Sequence, residues 1–393
     1  MSATVWDQVV GHDDAVKTLR DALDADRVTH AWLFTGPVGV GKVDVARVFA
    51  AALNCERADG SNADGTCPAC RRVLRGVHPD VHLVEPEGEN LLVEDVRTMR
   101  EEAWRSRHEG RTTVFIVDEA DRMTEPGANA LLKVLEEPPP DVVFVLVARS
   151  AASLVGTIPS RTRAVSFTDL PLETLADGLA RAEQVDAERA AWAAAASHGR
   201  LERARELLTD SSARHRRERV LDLVEQIAGG RASDALAAAA AVVAVGDDAA
   251  NVAKERHAAE LADYDQTFGS GRGSGALRKR IETRHRRAQR RVRFAAIREA
   301  VTDLVAAWRD VLCYQGAGPD AHLVHPDRVE ETARLAARFG PAAAVGAATA
   351  LEEADRRLTI GAAPLLTCEA AFIAAQRALA GEPGALTRVD LRR

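Results

Sequence analysis

Gly36-Pro37-Val38-Gly39-Val40-Gly41-Lys42-Val43 lies between a short apolar run, Ala31-Trp32-Leu33-Phe34-Thr35, and a stretch over residues 42–53 with the Ala/Val/Phe spacing of a helix. A glycine-rich turn that ends in lysine, set between a strand and a helix, has the pattern of a phosphate loop, G-x-x-x-x-G-K-[ST]. In such a loop backbone N–H groups wrap the phosphates, the lysine reaches their outer oxygens, and the Ser or Thr hydroxyl ligates magnesium. Glycine-rich turns before helices also occur without any ligand; here the strand ahead and the helix behind favour the phosphate loop. Its last position, Val43, has the shape of threonine without the oxygen. Valine keeps the packing and deletes a metal ligand. Gly36, Gly39, Gly41, Lys42 and Val43 are thus the candidate nucleotide-contacting residues, with ATP and magnesium expected to be held weakly or not at all.

A second element follows downstream. Thr113-Val114-Phe115-Ile116-Val117 is β-branched and aromatic, and it ends in Asp118-Glu119-Ala120-Asp121. Acidic residues at the carboxyl end of a buried strand stand where α/β sheets bind ligands. In an ATPase, Asp118 would hold the magnesium and Glu119 would polarise the attacking water. The competing reading is that Asp118 caps the next helix.

Apolar strand-like runs near residues 31, 81, 113, 142 and 163 alternate with helical stretches, which predicts a parallel α/β sheet with helices on both faces. After Pro171 strand patterns stop. Residues 172–210 read as a short Ala/Leu-rich helical segment and 211–393 as helical throughout, interrupted by the flexible-loop composition of residues 269–275. The chain has 393 residues, enough for two or three domains, and its 46% hydrophobic and 28% charged residues are ordinary for a globular protein. No N-terminal stretch pairs a basic head with an apolar core, and the longest apolar run, residues 235–245, is shorter than the roughly 20 residues a bilayer requires. The expectation is a cytoplasmic protein without membrane contact, and the 5 cysteines, odd in number and partly in C-x-x-C spacing, fit a reducing compartment.

Asn129-Ala130-Leu131-Leu132-Lys133-Val134-Leu135-Glu136-Glu137-Pro138-Pro139 and Ile158-Pro159-Ser160-Arg161-Thr162 bring these features to a family. With Val5-Trp6-Asp7-Gln8-Val9-Val10-Gly11-His12, similar to an adenine-side N-terminal box, the chain resembles the AAA+ subunits of the bacterial DNA polymerase III clamp loader, most closely the delta-prime branch. The resemblance runs to about residue 210. It implies an AAA+ P-loop module over 1–168, a helical lid over 169–210 and an all-α collar for oligomerisation over 211–393. It also implies a hetero-pentamer with tau/gamma motor subunits and the clamp-opening delta subunit, loading a sliding clamp onto primed DNA. In motor subunits a lid helix gives an arginine to the bound phosphate; here Glu202 falls at that place, with Arg200 and Arg203 as alternative donors. Ser160 and Arg161 match the first two positions of the family's Ser-Arg-Cys motif, Thr162 replacing the cysteine. That motif's arginine acts on the nucleotide of the neighbouring subunit. The alternative for Arg161 is an ordinary surface arginine at a strand start.

Cys55, Cys67 and Cys70 fall in the loop 55–78, and Cys67-Pro68-Ala69-Cys70 has the spacing of a structural zinc site. A closed tetrahedral site needs a fourth ligand, and the family's fourth cysteine is Val73 here. His78 or an acid such as Asp64 could complete the shell; a reduced loop without metal is the other reading, and zinc is expected to be substoichiometric or absent. Cys313 and Cys368 read as buried small hydrophobes. Residues 277–294 hold nine Arg or Lys against the single acid Glu282. Such a run is a solvated face or a protein contact, or it touches nucleic-acid phosphates, although no interleaved aromatics suggest base stacking. Two rival functions therefore stand beside the non-hydrolysing subunit: an active tau/gamma-like ATPase, and a DNA-binding module acting through 277–294.

Overall fold

Five parallel strands, β1 (Ala31–Thr35), β2 (Val81–Val84), β3 (Thr113–Val117), β4 (Val142–Ala148) and β5 (Arg163–Ser166), form one sheet in the order β2-β3-β4-β1-β5 in the computed structural model. The structure describes residues 4–86, 90–105, 107–268 and 274–382, and their side chains except at 256, 259–281, 283 and 284. Strand side chains alternate between faces. Trp32 and Phe34 therefore join one core with Ile116 and Val145, while Leu33 joins another with Phe115, Phe144 and Leu146. All of these are buried, which explains why the strands read as continuous apolar runs and not as alternating ones. Helices α1 (Asp13–Asp24), α2 (Lys42–Leu53) and α3 (Pro68–Leu74) cover the first face; α4 (Val93–Ala103) and α5 (Glu125–Glu136) cover the second. Each fully buried Leu, Phe or Val in these layers contributes roughly 1.5–3 kcal/mol.

Three further helices, α6 (Leu172–Glu183), α7 (Ala187–Ala196) and α8 (Leu201–Thr209), pack around Leu175, Leu179, Ala193, Leu201 and Ala204, with Val10 and Leu170 closing the cluster. Arg205 ties α8 to the phosphate-loop helix: it pairs with Asp44 on α2 and, through Nε, with Glu183 on α6 at 3.1 Å.

The chain divides into two compact units, Met1–Leu208 and Thr209–Arg393. The second is helical among the described residues, with α9 (Ser211–Ala228), α10 (Ala232–Phe268), α11 (Ser274–Ala317), α12 (Val329–Arg338), α13 (Pro341–Thr359) and α14 (Pro364–Leu379). Its core gathers Ile227, Val242, Val301, Trp308, Leu351 and Phe372. Gln376 on α14 donates to the carbonyl of Ile227 in the last turn of α9 (3.1 Å) and to that of Arg231 just ahead of α10 (3.0 Å), tying the two helix ends to α14. The alanine-rich run 235–245 proves to be part of a longer apolar stretch, Ala232–Glu255, whose 24 residues have the length and composition of a membrane span. Ala235, Ala238, Ala239, Val242 and Val245 are buried in the helical core, so this face of α10 is used for packing within the unit. Of the loop expected at 269–275, residues 269–273 lie outside the described residues, and Ser274 and Gly275 begin α11.

Candidate functional site

The phosphate loop leaves the carboxyl end of β1 and enters α2 at Gly41, with φ of 149° at Gly36, 81° at Gly39 and 94° at Gly41. Crowding adds to the backbone angle most at Gly36, where a Cβ would stand 2.3 Å from the Phe167 carbonyl oxygen; at Gly41 it would meet the Leu201 side chain at 2.8 Å, and at Gly39 the Arg200 side chain at 3.0 Å. Lys42 is almost fully buried, and its ammonium donates to the carbonyls of Gly36 (2.8 Å) and Pro37. Burial lowers its pKa, while the carboxylates of Asp118, Glu202 and Asp121 oppose that shift, so these acids face the lysine. Val43 is half-buried in the first turn of α2 and packs against the core of the first face. It offers no oxygen at the place where magnesium would be ligated, so the oxygen donors for a metal at this loop are incomplete.

His12, at the amino end of α1, puts its Nε2 2.8 Å from the Val40 carbonyl and its ring edge on Phe167 at 4.9 Å between centroids. Burial lowers its pKa, as expected for an imidazole enclosed beside the loop and the Lys42 charge. Asp118 follows β3 directly, takes the Glu119 N–H at 2.8 Å, and is followed by a residue in the left-handed region, Glu119 at φ 46°. Asp118 thus stands at the carboxyl end of the sheet, beside the lysine. Asp121 is engaged by Arg149 at 2.6 Å.

The amino end of α8 sits on the phosphate loop. Leu201 N–H donates to the Gly39 carbonyl at 2.8 Å, and the Arg200 side chain lies over Gly39. Glu202, expected at the place of a lid arginine, is exposed along one side. Desolvation by its packed neighbours nevertheless raises its pKa, reinforced by Asp44 and Asp118 and opposed by Arg200 and Lys42. Both an acid and an arginine at this end of the helix therefore face the loop, while Arg203 is buried.

Arg161 occupies the other end of the sheet. It ends a short 3-10 turn, Pro159–Arg161, just before β5, whose Arg163 is in register with Trp32 near the start of β1. At about 3.3 Å per strand residue the phosphate loop lies on the order of 15–20 Å away, beyond the reach of this side chain. Its guanidinium pairs with Glu136 of the Glu136-Glu137-Pro138-Pro139 turn at 2.6 Å and donates to the Thr157 carbonyl at 3.1 Å and the Ser160 hydroxyl at 3.4 Å. The side chain is 35% exposed and Glu136 50%, so the pair is open to solvent. Ser160 is exposed, and its hydroxyl donates to the Thr157 carbonyl at 2.9 Å.

In the loop after α2, Cys55, Cys67 and Cys70 come together with Asp64, their donor atoms all within 4.8 Å of one another. The Cys67 and Cys55 sulfurs are 3.9 Å apart, and the Cys55 sulfur is 3.8 Å from Asp64 Oδ1. His78 is turned instead toward Glu109, at 3.8 Å, and Val73 is fully buried. Cys368 is buried and its thiol is pushed up to about 12; Cys313, expected to be buried, is only partly so because it sits near the end of α11. Residues 277–294 lie on α11. Arg286 and Arg290 are exposed, while Arg293 pairs with Asp247 on α10 at 2.5 Å; the side chains of Arg278, Lys279, Arg280 and Arg284 lie outside the described residues.

Comparison with known proteins adds relatives to this geometry. The family described as DNA polymerase III, delta subunit, matches residues 11–171. DNA polymerase III subunit gamma/tau of Mycobacterium tuberculosis is 38% identical over 175 residues, 44% of this chain and 30% of that protein. DNA polymerase III subunit delta' of Bacillus subtilis is 35% identical over 164 residues, 42% of this chain and 50% of that protein. The chain thus spans half or less of the length of these relatives. A solved DNA polymerase III gamma subunit-related protein of Thermotoga maritima is 17% identical with a TM-score of 0.39, over 93% of this chain and 100% of that one.

Proposed function

We propose that this chain, which through residues 11–171 is a member of the bacterial DNA polymerase III clamp-loader family, serves as its non-hydrolysing, delta-prime-like subunit and gives Arg161 to the ATP site of an adjacent motor subunit. The observation that carries the reading is the position of Arg161. It stands at the amino end of the sheet, away from Lys42, on a solvent-open turn held by Glu136. An arginine so placed is too far to serve its own phosphate loop and is open to a nucleotide brought by a neighbouring subunit. A planar guanidinium set against γ-phosphate oxygens stabilises the charge that spreads there during phosphoryl transfer. Glu136, itself exposed, keeps the arginine oriented and can yield it to a phosphate of higher charge. Val43 supports the other half of the reading, since the loop's own magnesium donors are incomplete. The assembly's work would be loading a sliding clamp onto primed DNA in the bacterial cytoplasm, with gamma/tau and delta as partners.

Arg200 favours a second reading, an active gamma/tau-like subunit, because it brings a lid arginine over Gly39 where Glu202 alone would bring only negative charge. ATP turnover by the isolated chain separates the two. The non-hydrolysing reading expects background rates; magnesium-dependent turnover abolished by Lys42→Ala would favour the motor.

A further inference from the structure

We infer that the far halves of α10 and α11 form an arm that binds the phosphate backbone of double-stranded nucleic acid through the basic side of α11, without reading its sequence.

The core of the second unit uses α10 up to Val245 and α11 from Ile297 onward. Between those points, over 246–268 and 274–296, no described residue joins a hydrophobic core, yet the two helices stay paired. Gly246 lets them touch where the core ends: a Cβ there would stand 2.5 Å from the Ile297 side chain and 2.8 Å from the Arg293 carbonyl oxygen. Farther out, His257 of α10 stacks on the buried His285 of α11 with ring centroids 4.1 Å apart, and Gln289 lies 3.3 Å from His257 Nδ1. These contacts fix the side that α11 turns toward α10. At about 100° per residue, Arg286 and Arg290 fall roughly 100° from that side, and Arg287 and Arg291 roughly 200° from it. The four arginines thus occupy the outward sides of α11, with Arg286 and Arg290 exposed.

The charges are sorted by helix. Residues 246–296 contain 12 Arg or Lys and 7 Asp or Glu, a surplus of five positive charges in a chain whose net charge is −7. Six of those acids lie on α10 and only Glu282 on α11, which holds nine of the bases. Asp247 and Asp248 hold the base of the arm, through Arg293 at 2.5 Å and through Arg219 of α9 at 2.8 Å. Arginines four apart, as at 286 and 290 or 287 and 291, repel each other and weaken the free helix. A bound polyanion removes that cost.

The chemistry of the surface selects a duplex. Eight of the nine basic residues in 277–294 are arginine, whose planar fork pairs with phosphate oxygens. Eighteen residues of helix extend roughly 27 Å, the length of about 8 base pairs, along which a duplex presents one charge per ~1.7 Å. The centre of a protein–protein interface is depleted of charge, and a helix lying on a membrane needs an apolar face. Here the exposed large apolar side chains among the described residues of the arm are Val252 and Val292, one on each helix. No Phe, Tyr or Trp interrupts 277–293, so the bases of a single strand find no ring to stack on. The inference is independent of the role proposed for Arg161, which lies in the other unit.

The test is fluorescence anisotropy of the full chain with duplex DNA of about 20 base pairs, somewhat longer than the arm, titrated between about 50 and 200 mM salt. The expected result is equal affinity for two duplexes of unrelated sequence and a plot of log K against log salt with a slope of about −3.6 or steeper, four phosphates at about −0.9 each. Arg286→Gln with Arg290→Gln should make that slope shallower by about two and weaken binding at least about tenfold, with unchanged helical content. Arg356→Gln, an exposed arginine of α13 paired with Glu353, should change neither. No binding of the wild-type chain at about 50 mM salt, a slope unchanged in the double variant, or tighter binding to single-stranded DNA or to vesicles of anionic lipid than to the duplex would overturn the inference. If the double variant loses helical content, Arg286→Gln alone decides, with a slope shallower by about one expected.

Discussion

Val43 stands where the phosphate-loop pattern has Ser or Thr, and it changes the chemistry of that place with little change of shape. Threonine at that place would restore a hydroxyl in the first turn of α2, at a half-buried position whose neighbours already accommodate a β-branched residue. We expect Val43→Thr to raise the affinity for magnesium-nucleotide about tenfold or more, equivalent to about 1.4 kcal/mol, with no gain when magnesium is withheld. Calorimetric titration in the presence and absence of magnesium measures this; equal affinity in both would mean that the hydroxyl is not what the loop lacks. Gly36 makes a different demand. Its φ is 149°, and a Cβ added there would meet the Phe167 carbonyl oxygen at 2.3 Å, which leaves no room for a methyl group that cannot swing away. Gly36→Ala should lower stability by at least about 3 kcal/mol, the range reached when steric overlap adds to backbone strain, which denaturant unfolding would register. Such residues were legible in the sequence because each has an unmistakable chemical identity. Arg200 was legible only as an alternative to Glu202, since sequence spacing alone does not fix where α8 begins; the structure brings both side chains to the loop. That Asp64 lies with the three cysteines was left open by the sequence beside His78 and a metal-free loop, as nothing in the C-x-x-C spacing says which way the preceding turn folds.

Among the elements, the strands were the most readable. Runs such as Thr113–Val117 are apolar at nearly every position because both faces of the sheet are covered, and the glycines and Asp118 punctuate them. The helices of the second unit were less so. Alanine supplies little contrast between faces, so α10 and α11, 37 and 44 residues long, could be recognised as helical but not bounded. What anchors this unit is in part ionic. Arg217 on α9, with only 2% of its side chain exposed, makes two bonds of 2.7 and 2.8 Å to Asp327 ahead of α12. Removing the carboxylate takes a two-bond ionic partner from a buried guanidinium, so Asp327→Ala should cost about 3 kcal/mol. Replacing both residues by leucine should recover most of that loss. A single mutant as stable as wild type in urea unfolding would show that water takes over the guanidinium.

At the scale of the whole molecule the proposed function rests on a separation of roles within one sheet. The carboxyl end of β1 carries a phosphate loop whose metal donors are incomplete, and the turn before β5 carries an arginine that cannot reach that loop. On this proposal the subunit would contribute to hydrolysis only through its neighbour, which makes its own turnover and its effect on partners independent observables. The most direct measurement is DNA-stimulated ATPase of a complex reconstituted from gamma/tau and delta subunits with either wild-type chain or Arg161→Ala. The account predicts that the mutant assembles normally, lowers hydrolysis at one motor site by about 10³-fold or more, as arginine fingers do in other phosphoryl-transfer systems, and is poorly rescued by Arg161→Lys, whose point charge lacks the planar fork. An assembled mutant complex with wild-type ATPase and clamp-loading rates would contradict it.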